Sequence, residues 1–157
     1  METSATILLV EDLDDDVFAM QRALKLSHVE NPLQIVTDGQ QALDYLSGVG
    51  SYANRSQYPL PFLIFLDLKL PYVHGFEILT WLQSQPALHS IPVVVLTGSA
   101  ESRDKDRAYS LGARSYLVKP PKPETLTDVL KSLNTYWLSK AAITPVSSKK
   151  DPPDDSN

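Results

Sequence analysis

The chain has no cysteine. That excludes a disulfide framework, thiol catalysis and a cysteine-ligated metal site. It has no apolar run near the ~18 residues that a membrane-spanning helix needs. It has no excess of positive charge: 14 Lys and Arg stand against 19 Asp and Glu, for a net charge of −5, so the chain as a whole carries no electrostatic footprint for nucleic acid. Its three histidines, His28, His74 and His89, fall on separate loops or helix ends without metal-ligand spacing, and we expect them to be solvated. The first apolar run is short and is followed at once by acids, so no signal peptide is visible. These absences lead us to expect a cytoplasmic protein with neither a nucleic-acid nor a membrane partner. The length of 157 residues suits one domain with a substantial core.

What is present is an alternation. Short apolar or β-branched runs occur at Ile7–Val10, Leu33–Val36, Phe62–Leu66, Val93–Leu96 and Ser115–Val118. Helix-length amphipathic segments follow them at Asp15–Ser27, Gly39–Leu46, Gly75–Gln85, Ser102–Leu111 and Glu124–Leu138. Runs such as FLIFL and VVVL are apolar on both faces, as buried parallel strands require. Five βα units in series predict an α/β fold, with right-handed crossovers and helices on both faces of a parallel sheet. Asp38 suits a helix N-cap, and Gly112 a helix end in the left-handed conformation. Two segments break the pattern. Residues 47–61, rich in Gly, Ser and Pro, form a connection long enough to be functional or mobile. Residues 144–157 have almost no apolar content and read as a disordered tail, leaving 1–143 as the domain.

Chemistry concentrates at the strand ends. Residues 11–16 hold five carboxylates in six positions, directly after the first strand. In an open α/β sheet, ligands bind beyond the carboxyl ends of the strands. Four runs end in LLVED, LIFLD, VVVLT and YLVK. Glu11, Asp12, Asp67, Thr97 and Lys119 are therefore expected on one edge of the sheet. A hard cation among Glu11, Asp12 and Asp67 would relieve their repulsion. Lys119 and Thr97 could hold the oxygens of a phosphate. Each residue alone has a blander reading as a cap or turn former; five compatible residues on four strand ends carry the inference. Asp14, Asp15 and Asp16 are read as a helix first turn, where acids complement the macrodipole. Phe76, Trp81 and Tyr109 are read as packing residues.

LLVED, LIFLDLKLPYVHG, VVVLTGSA and YLVKP, in that order, resemble the signature set of response-regulator receiver domains over about residues 5–140. The resemblance implies a flavodoxin-like, doubly wound, five-stranded parallel sheet of order 2-1-3-4-5 with five helices. It implies Asp67 as the phosphoacceptor, and Mg²⁺ bound by Asp12 and Asp67, with Glu11 joining through water and the Lys69 backbone carbonyl as a further ligand. It implies that Lys119 pairs with the phosphoryl group, that Thr97 is the switch hydroxyl and Tyr116 the switch aromatic, and that the bond before Pro120 is cis. The YANRSQYP insertion and the YWL end of the last helix resemble single-domain regulators that serve phytochrome-type histidine kinases. That implies a stand-alone regulator, a kinase partner of this type, an unidentified downstream protein and a homodimer. Leu126, Leu130, Leu133 and Trp137 form the core stripe of the last helix, with Tyr136 and Leu138 off it. The alternating charges of ESRDKDR could pair across a two-fold axis.

Three further readings follow. Lys69 and Ser99, each two residues past a site residue, would flank the approach of water to the acyl phosphate and favour slow autodephosphorylation. The competing enzyme class is a Mg²⁺-dependent haloacid-dehalogenase-like phosphatase, whose Asp-x-Asp start matches Asp12-Leu13-Asp14. That reading leaves Asp67 without a role and offers only Glu124 as the later acid. A third reading is a receiver-like binding module that is never phosphorylated.

Overall fold

The computed structural model describes residues 5–133. Its elements alternate strictly: β1 (Ile7–Val10), α1 (Asp14–Leu26), β2 (Leu33–Val36), α2 (Gly39–Ser47), β3 (Leu63–Leu66), α3 (Gly75–Gln83), β4 (Val93–Thr97), α4 (Ser102–Ser110), β5 (Ser115–Val118) and α5 (Pro123–Leu133), with one 3₁₀ turn at Gly50–Tyr52. The strands form one parallel sheet of order β2-β1-β3-β4-β5. No helix is long and apolar enough to cross a membrane among the described residues.

Alternation along each strand divides the core in two. Leu8, Val10, Ile64, Leu66, Val93 and Val95 face α2, α3 and α4. Ile7, Leu9, Leu63, Phe65, Val94 and Leu96 face α1 and α5. The three central strands are thus buried on both sides, which is why they read as unbroken apolar runs. Leu126, Leu130 and Leu133 are buried on α5 as the stripe requires; Tyr136, Trp137, Leu138 and the tail 144–157 lie outside the described residues.

The punctuation works as the sequence suggests. Asp38 accepts from the Gln41 backbone N–H at 2.7 Å, and Gly112 follows α4 at φ 105°. A Cβ on Gly112 would lie 2.3 Å from the Gln83 side chain. His74, expected to be merely solvated, is exposed but caps α3. Its Nδ1 accepts from the Phe76 N–H at 3.1 Å, and Glu77 accepts from the His74 N–H at 2.9 Å. Phe76 and Trp81 pack against the core, whereas Tyr109 is 43% exposed. The reading of Tyr109 as a packing residue is corrected: the buried position of α4 is Ala108, and Tyr109 follows it around the helix.

The connection 47–61 is a packed structure. The rings of Tyr45, Tyr52 and Tyr58 meet pairwise at 5.1–5.9 Å between centroids, and the Tyr45 hydroxyl donates to the Pro59 carbonyl at 2.8 Å. Arg55 donates to the carbonyls of Tyr45 (2.7 Å), Leu46 (2.9 Å) and Tyr58 (3.1 Å). It thereby satisfies the last turn of α2 with a cation, the charge that a helix C-terminus favours. Charge-assisted bonds of this kind contribute more than neutral ones, so Arg55→Ala is expected to cost about 2 kcal/mol. The check is the urea unfolding midpoint; an unchanged midpoint would show that the guanidinium does not hold the loop.

Candidate functional site

Register sets the site. Val10 pairs with Leu66 across β1 and β3, and Thr97 with Val118 across β4 and β5. The ladder continues one step further: Asp67 donates its N–H to the Val10 carbonyl at 3.1 Å, and Lys119 to the Thr97 carbonyl at 2.8 Å. The residues that follow these strands therefore emerge together at one edge. This is the topological switch point, between β1, from which the chain runs outward to β2, and β3, from which it runs to β4 on the other side.

Glu11, Asp12 and Asp67 each place a carboxylate oxygen so that the three lie within 4.8 Å of one another. Glu11 and Asp67 are buried, and Asp12 is half-buried. Lys119 enters from the β5 side. Its Nζ lies 2.6 Å from Glu11 Oε1, 2.9 Å from Asp67 Oδ2 and 2.6 Å from Asp16 Oδ2. The other oxygens are also engaged: Asp67 Oδ1 accepts from the Lys69 N–H at 3.3 Å, and Glu11 Oε2 from the Leu13 N–H at 3.2 Å. Thr97 is buried, and its hydroxyl makes no hydrogen bond among the described residues. The bond between Lys119 and Pro120 is cis. Gly75, at the start of α3, lets that helix abut the site loop: a Cβ there would meet the Leu68 Cα at 2.6 Å and the Asp67 carbonyl at 2.7 Å.

The electrostatics follow from burial. Loss of water pushes the Glu11 carboxyl up from 4.5 to about 7; the Lys119 hydrogen bond opposes this, and the Asp67 charge adds to it. Burial works against the Lys119 charge, but hydrogen bonds to Asp16, Glu11 and Asp67 outweigh it and hold the ammonium above the ordinary lysine range. One cation thus faces three carboxylates, and a fourth, Asp12, lies beside two of them. All the side-chain donors on offer to a metal are hard oxygens, the set that suits Mg²⁺, Mn²⁺ or Ca²⁺, so the residues present fit a divalent ion.

Of the sequence-predicted residues, Glu11, Asp12, Asp67, Thr97 and Lys119 arrive at this edge, and the side chains of Tyr116, Lys69 and Ser99 do not join the cluster. Tyr116 is buried on β5, three residues before Lys119, and its hydroxyl donates to the Ser99 carbonyl at 2.8 Å. Lys69 is exposed, with only its backbone near the cluster. Ser99, read as flanking the bond, gives its hydroxyl to Asp104 Oδ2 at 2.6 Å, so it binds the first turn of α4.

Asp16 is the residue that sequence reasoning missed. We read it as solvated helix start, and Asp14 and Asp15 are indeed exposed. The reading is corrected for Asp16 by its contact with Lys119. A signal was available. Asp16 lies one turn before Met20, and Met20, Ala23 and Leu24 are the buried residues of α1. Helical spacing therefore puts Asp16 on the inward stripe. The exposure of Asp14 also removes the second carboxylate of the Asp-x-Asp reading from the site.

A buried cluster of carboxylates around one ammonium, at the carboxyl edge of a 2-1-3-4-5 sheet, defines a phosphoacceptor domain of two-component signalling. The chain belongs to the response regulator receiver domain family, which matches residues 7–131. Among curated relatives, it is 37% identical over 137 residues to response regulator Rcp1 of Synechocystis sp. (strain ATCC 27184 / PCC 6803 / Kazusa), spanning 87% of this chain and 91% of Rcp1. It is 39% identical over 132 residues to "Probable methanogenesis regulatory protein FilR2" of Methanothrix harundinacea (strain 6Ac), spanning 84% and 83%. The phosphorylated cyanobacterial phytochrome response regulator RcpA superposes with a TM-score of 0.72 at 38% identity, over 92% of this chain and all of RcpA (100%). The Mn²⁺-bound structure of Rcp1 superposes with 0.70 at 36%, over 90% and 99%. The chain is a signalling receiver similar to phytochrome response regulators, with an acidic pocket for a divalent metal and a histidine kinase as the partner its family implies. The phosphatase and binding-module readings give way to it.

The raised Glu11 pKa gives a sign-definite test. Between pH 4.5 and about 7 the folded state holds a proton that the unfolded state has released, so the Glu11 contribution to stability is present below this window and is lost as pH rises through it. In metal-free buffer, wild type is expected to lose stability relative to Glu11→Gln across this interval and to level off above it. A difference that stays constant with pH, measured by denaturant unfolding, would refute the shift.

Proposed function

We propose that Asp67 accepts a phosphoryl group from a phytochrome-type histidine kinase, in the cytoplasm, and that the protein signals through contacts with a downstream protein. The observation that carries this is the Asp67 carboxylate, buried yet held open to the site edge by one lysine and one backbone N–H. A phosphohistidine presented there meets the carboxylate in line. The O–P bond forms at Asp67, the N–P bond breaks, and its electron pair returns to the imidazole of the kinase. Such transfer is mostly positioning and electrostatics. Lys119 turns its ammonium to the phosphoryl oxygens, and the Thr97 hydroxyl, which has no hydrogen-bond partner to lose among the described residues, donates to one of them. Mg²⁺ is the ion we assign, held by Asp12, Asp67 and the Lys69 carbonyl with Glu11 joining through water; when bound, it neutralises charge on the phosphoryl oxygens.

Movement of Thr97 toward the phosphoryl group favours an inward Tyr116, and so biases a two-state equilibrium of the surface formed by α4 and β5. The inward Tyr116 bonded to the Ser99 carbonyl supports this assignment. The phytochrome pairing rests on the similarity to RcpA along nearly the whole chain. The phosphoryl group then leaves by autodephosphorylation, which we expect to be slow. Ser99 offers no carboxamide to orient water and is already engaged by Asp104. The Lys69 stem is long enough to shade the bond.

Labelling tests the acceptor. Phosphorylated phytochrome-type kinase is expected to label wild type, and to transfer faster than an unrelated histidine kinase does. Asp67→Asn is expected to take no label, and the label on Lys69→Asn to decay faster than that on wild type. Full labelling of Asp67→Asn would remove the assignment. The exposed, alternating charges of α4, whose Arg103 pairs with Glu101 at 3.3 Å in solvent, support a homodimer formed through this side of the fold. Light scattering is expected to give a dimer; a monomer both with and without the phosphoryl mimic beryllofluoride would end that idea.

A further inference from the structure

An ammonium has three N–H donors, and Lys119 spends them on three carboxylates: Glu11, Asp67 and Asp16. The first two belong to the group of oxygens that can hold a metal; Asp16 does not. This difference matters when the site is used, and the argument rests on the reading of Asp67 as phosphoacceptor. As Asp67 forms its bond to phosphorus its oxygen ceases to be an anion for Lys119, and Glu11 would turn to the metal pocket where an ion is bound. Two of the three donors are thereby released. Asp16 alone keeps its partner.

We propose that Asp16 is a positioning residue: it tethers the Lys119 ammonium over the Asp67 oxygen throughout the transfer, so that the two freed donors point at the incoming phosphoryl group. Three features support it. The contact is short, at 2.6 Å, and spans 103 residues of sequence, from the first turn of α1 to the end of β5. The lysine side chain is 13% exposed and that of Asp16 30%, so the pair is only partly screened by water and its geometry is held by packing. Asp16 also lies on a helix whose inward stripe, Met20, Ala23 and Leu24, is fixed in the core. A lysine stem has four rotatable bonds. Without the tether its ammonium would sample positions away from the reacting oxygen, and a misplacement of about 1 Å can cost on the order of a hundredfold in rate.

The opposite effect is also physical. A carboxylate near the site repels the phosphoryl dianion and competes for Lys119, and if that dominated, its removal would speed the reaction. The full-length chain separates the two. Phosphoramidate, a small donor that needs no docking on α1, is used with saturating Mg²⁺, and the product is followed by intact mass. Mn²⁺ affinity is measured in parallel by calorimetry, and folding by the melting temperature.

We expect Asp16→Asn to react about tenfold more slowly at saturating donor, with the apparent KM for donor and the Mn²⁺ dissociation constant within about twofold of wild type. Asp16→Glu, which restores the charge on a longer stem, is expected to recover most of the rate. A rate for Asp16→Asn equal to or above that of wild type overturns the tether. So does a loss of Mn²⁺ affinity that matches the loss of rate, or a failure of Asp16→Glu to recover. If wild type itself takes no phosphoryl group, the reading of Asp67 fails, and the tether falls with it.

Discussion

One ammonium holds the edge of this sheet together. Lys119 is the counter-charge for Glu11, Asp16 and Asp67, three carboxylates supplied by β1, α1 and β3. Without it, a buried carboxylate cluster of this density would have to take up protons or open to water. Its position in turn depends on backbone register: the Lys119 N–H bonds the Thr97 carbonyl, and Thr97 pairs with Val118 in the ladder. The ends of β1 and β3 and the first turn of α1 thus converge on one nitrogen atom, carried at the end of β5 and placed by the backbone bond to β4. The arrangement is strong enough to persist and still carries more negative than positive charge. That deficit gives the site its capacity for a divalent ion, and a phosphoryl group arriving beside that ion keeps the same sign logic.

The rest of the fold serves that edge in ways that are individually bland. The two-sided core keeps β1, β3 and β4 in fixed register. Gly75 allows α3 to start directly against the loop after Asp67, and the His74–Glu77 capping box fixes that start. Arg107 lies over the Phe76 ring at 4.4 Å, which links α3 to α4, the helix whose first turn Ser99 reaches through Asp104. A displacement at Thr97 therefore meets a chain of packed and hydrogen-bonded groups leading to the α4 surface, the kind of contiguous route through which a local charge change biases a surface.

The three central strands were legible because burial on both faces leaves no alternation to misread. The strand ends were legible because a parallel sheet sends its carboxyl ends to one side. β1, β2 and β5 fall where the apolar runs predict, and β3 and β4 differ by one residue at an end. What was not legible was contact between distant segments. Asp16 looked like an ordinary helix-start acid, and only its place one turn before Met20 hinted otherwise. The segment 47–61 looked, by its length, functional or mobile; Arg55 and three tyrosines fold it down on α2. Its anchor is a pairing of an arginine with carbonyls that no local pattern announces. Tyr109 looked like core by residue type, but its neighbour Ala108 takes the inward position.

The central claim is that, of the three carboxylates clasped by Lys119, Asp67 is the one that becomes an acyl phosphate. Acyl phosphates are reduced selectively by borohydride, which leaves a homoserine where the phosphorylated aspartate stood. The direct measurement is therefore peptide mass spectrometry of the chain after treatment with acetyl phosphate and Mg²⁺, followed by borohydride. The account predicts homoserine at position 67. Homoserine at position 12 or 16 with position 67 intact, or no homoserine anywhere, would contradict it.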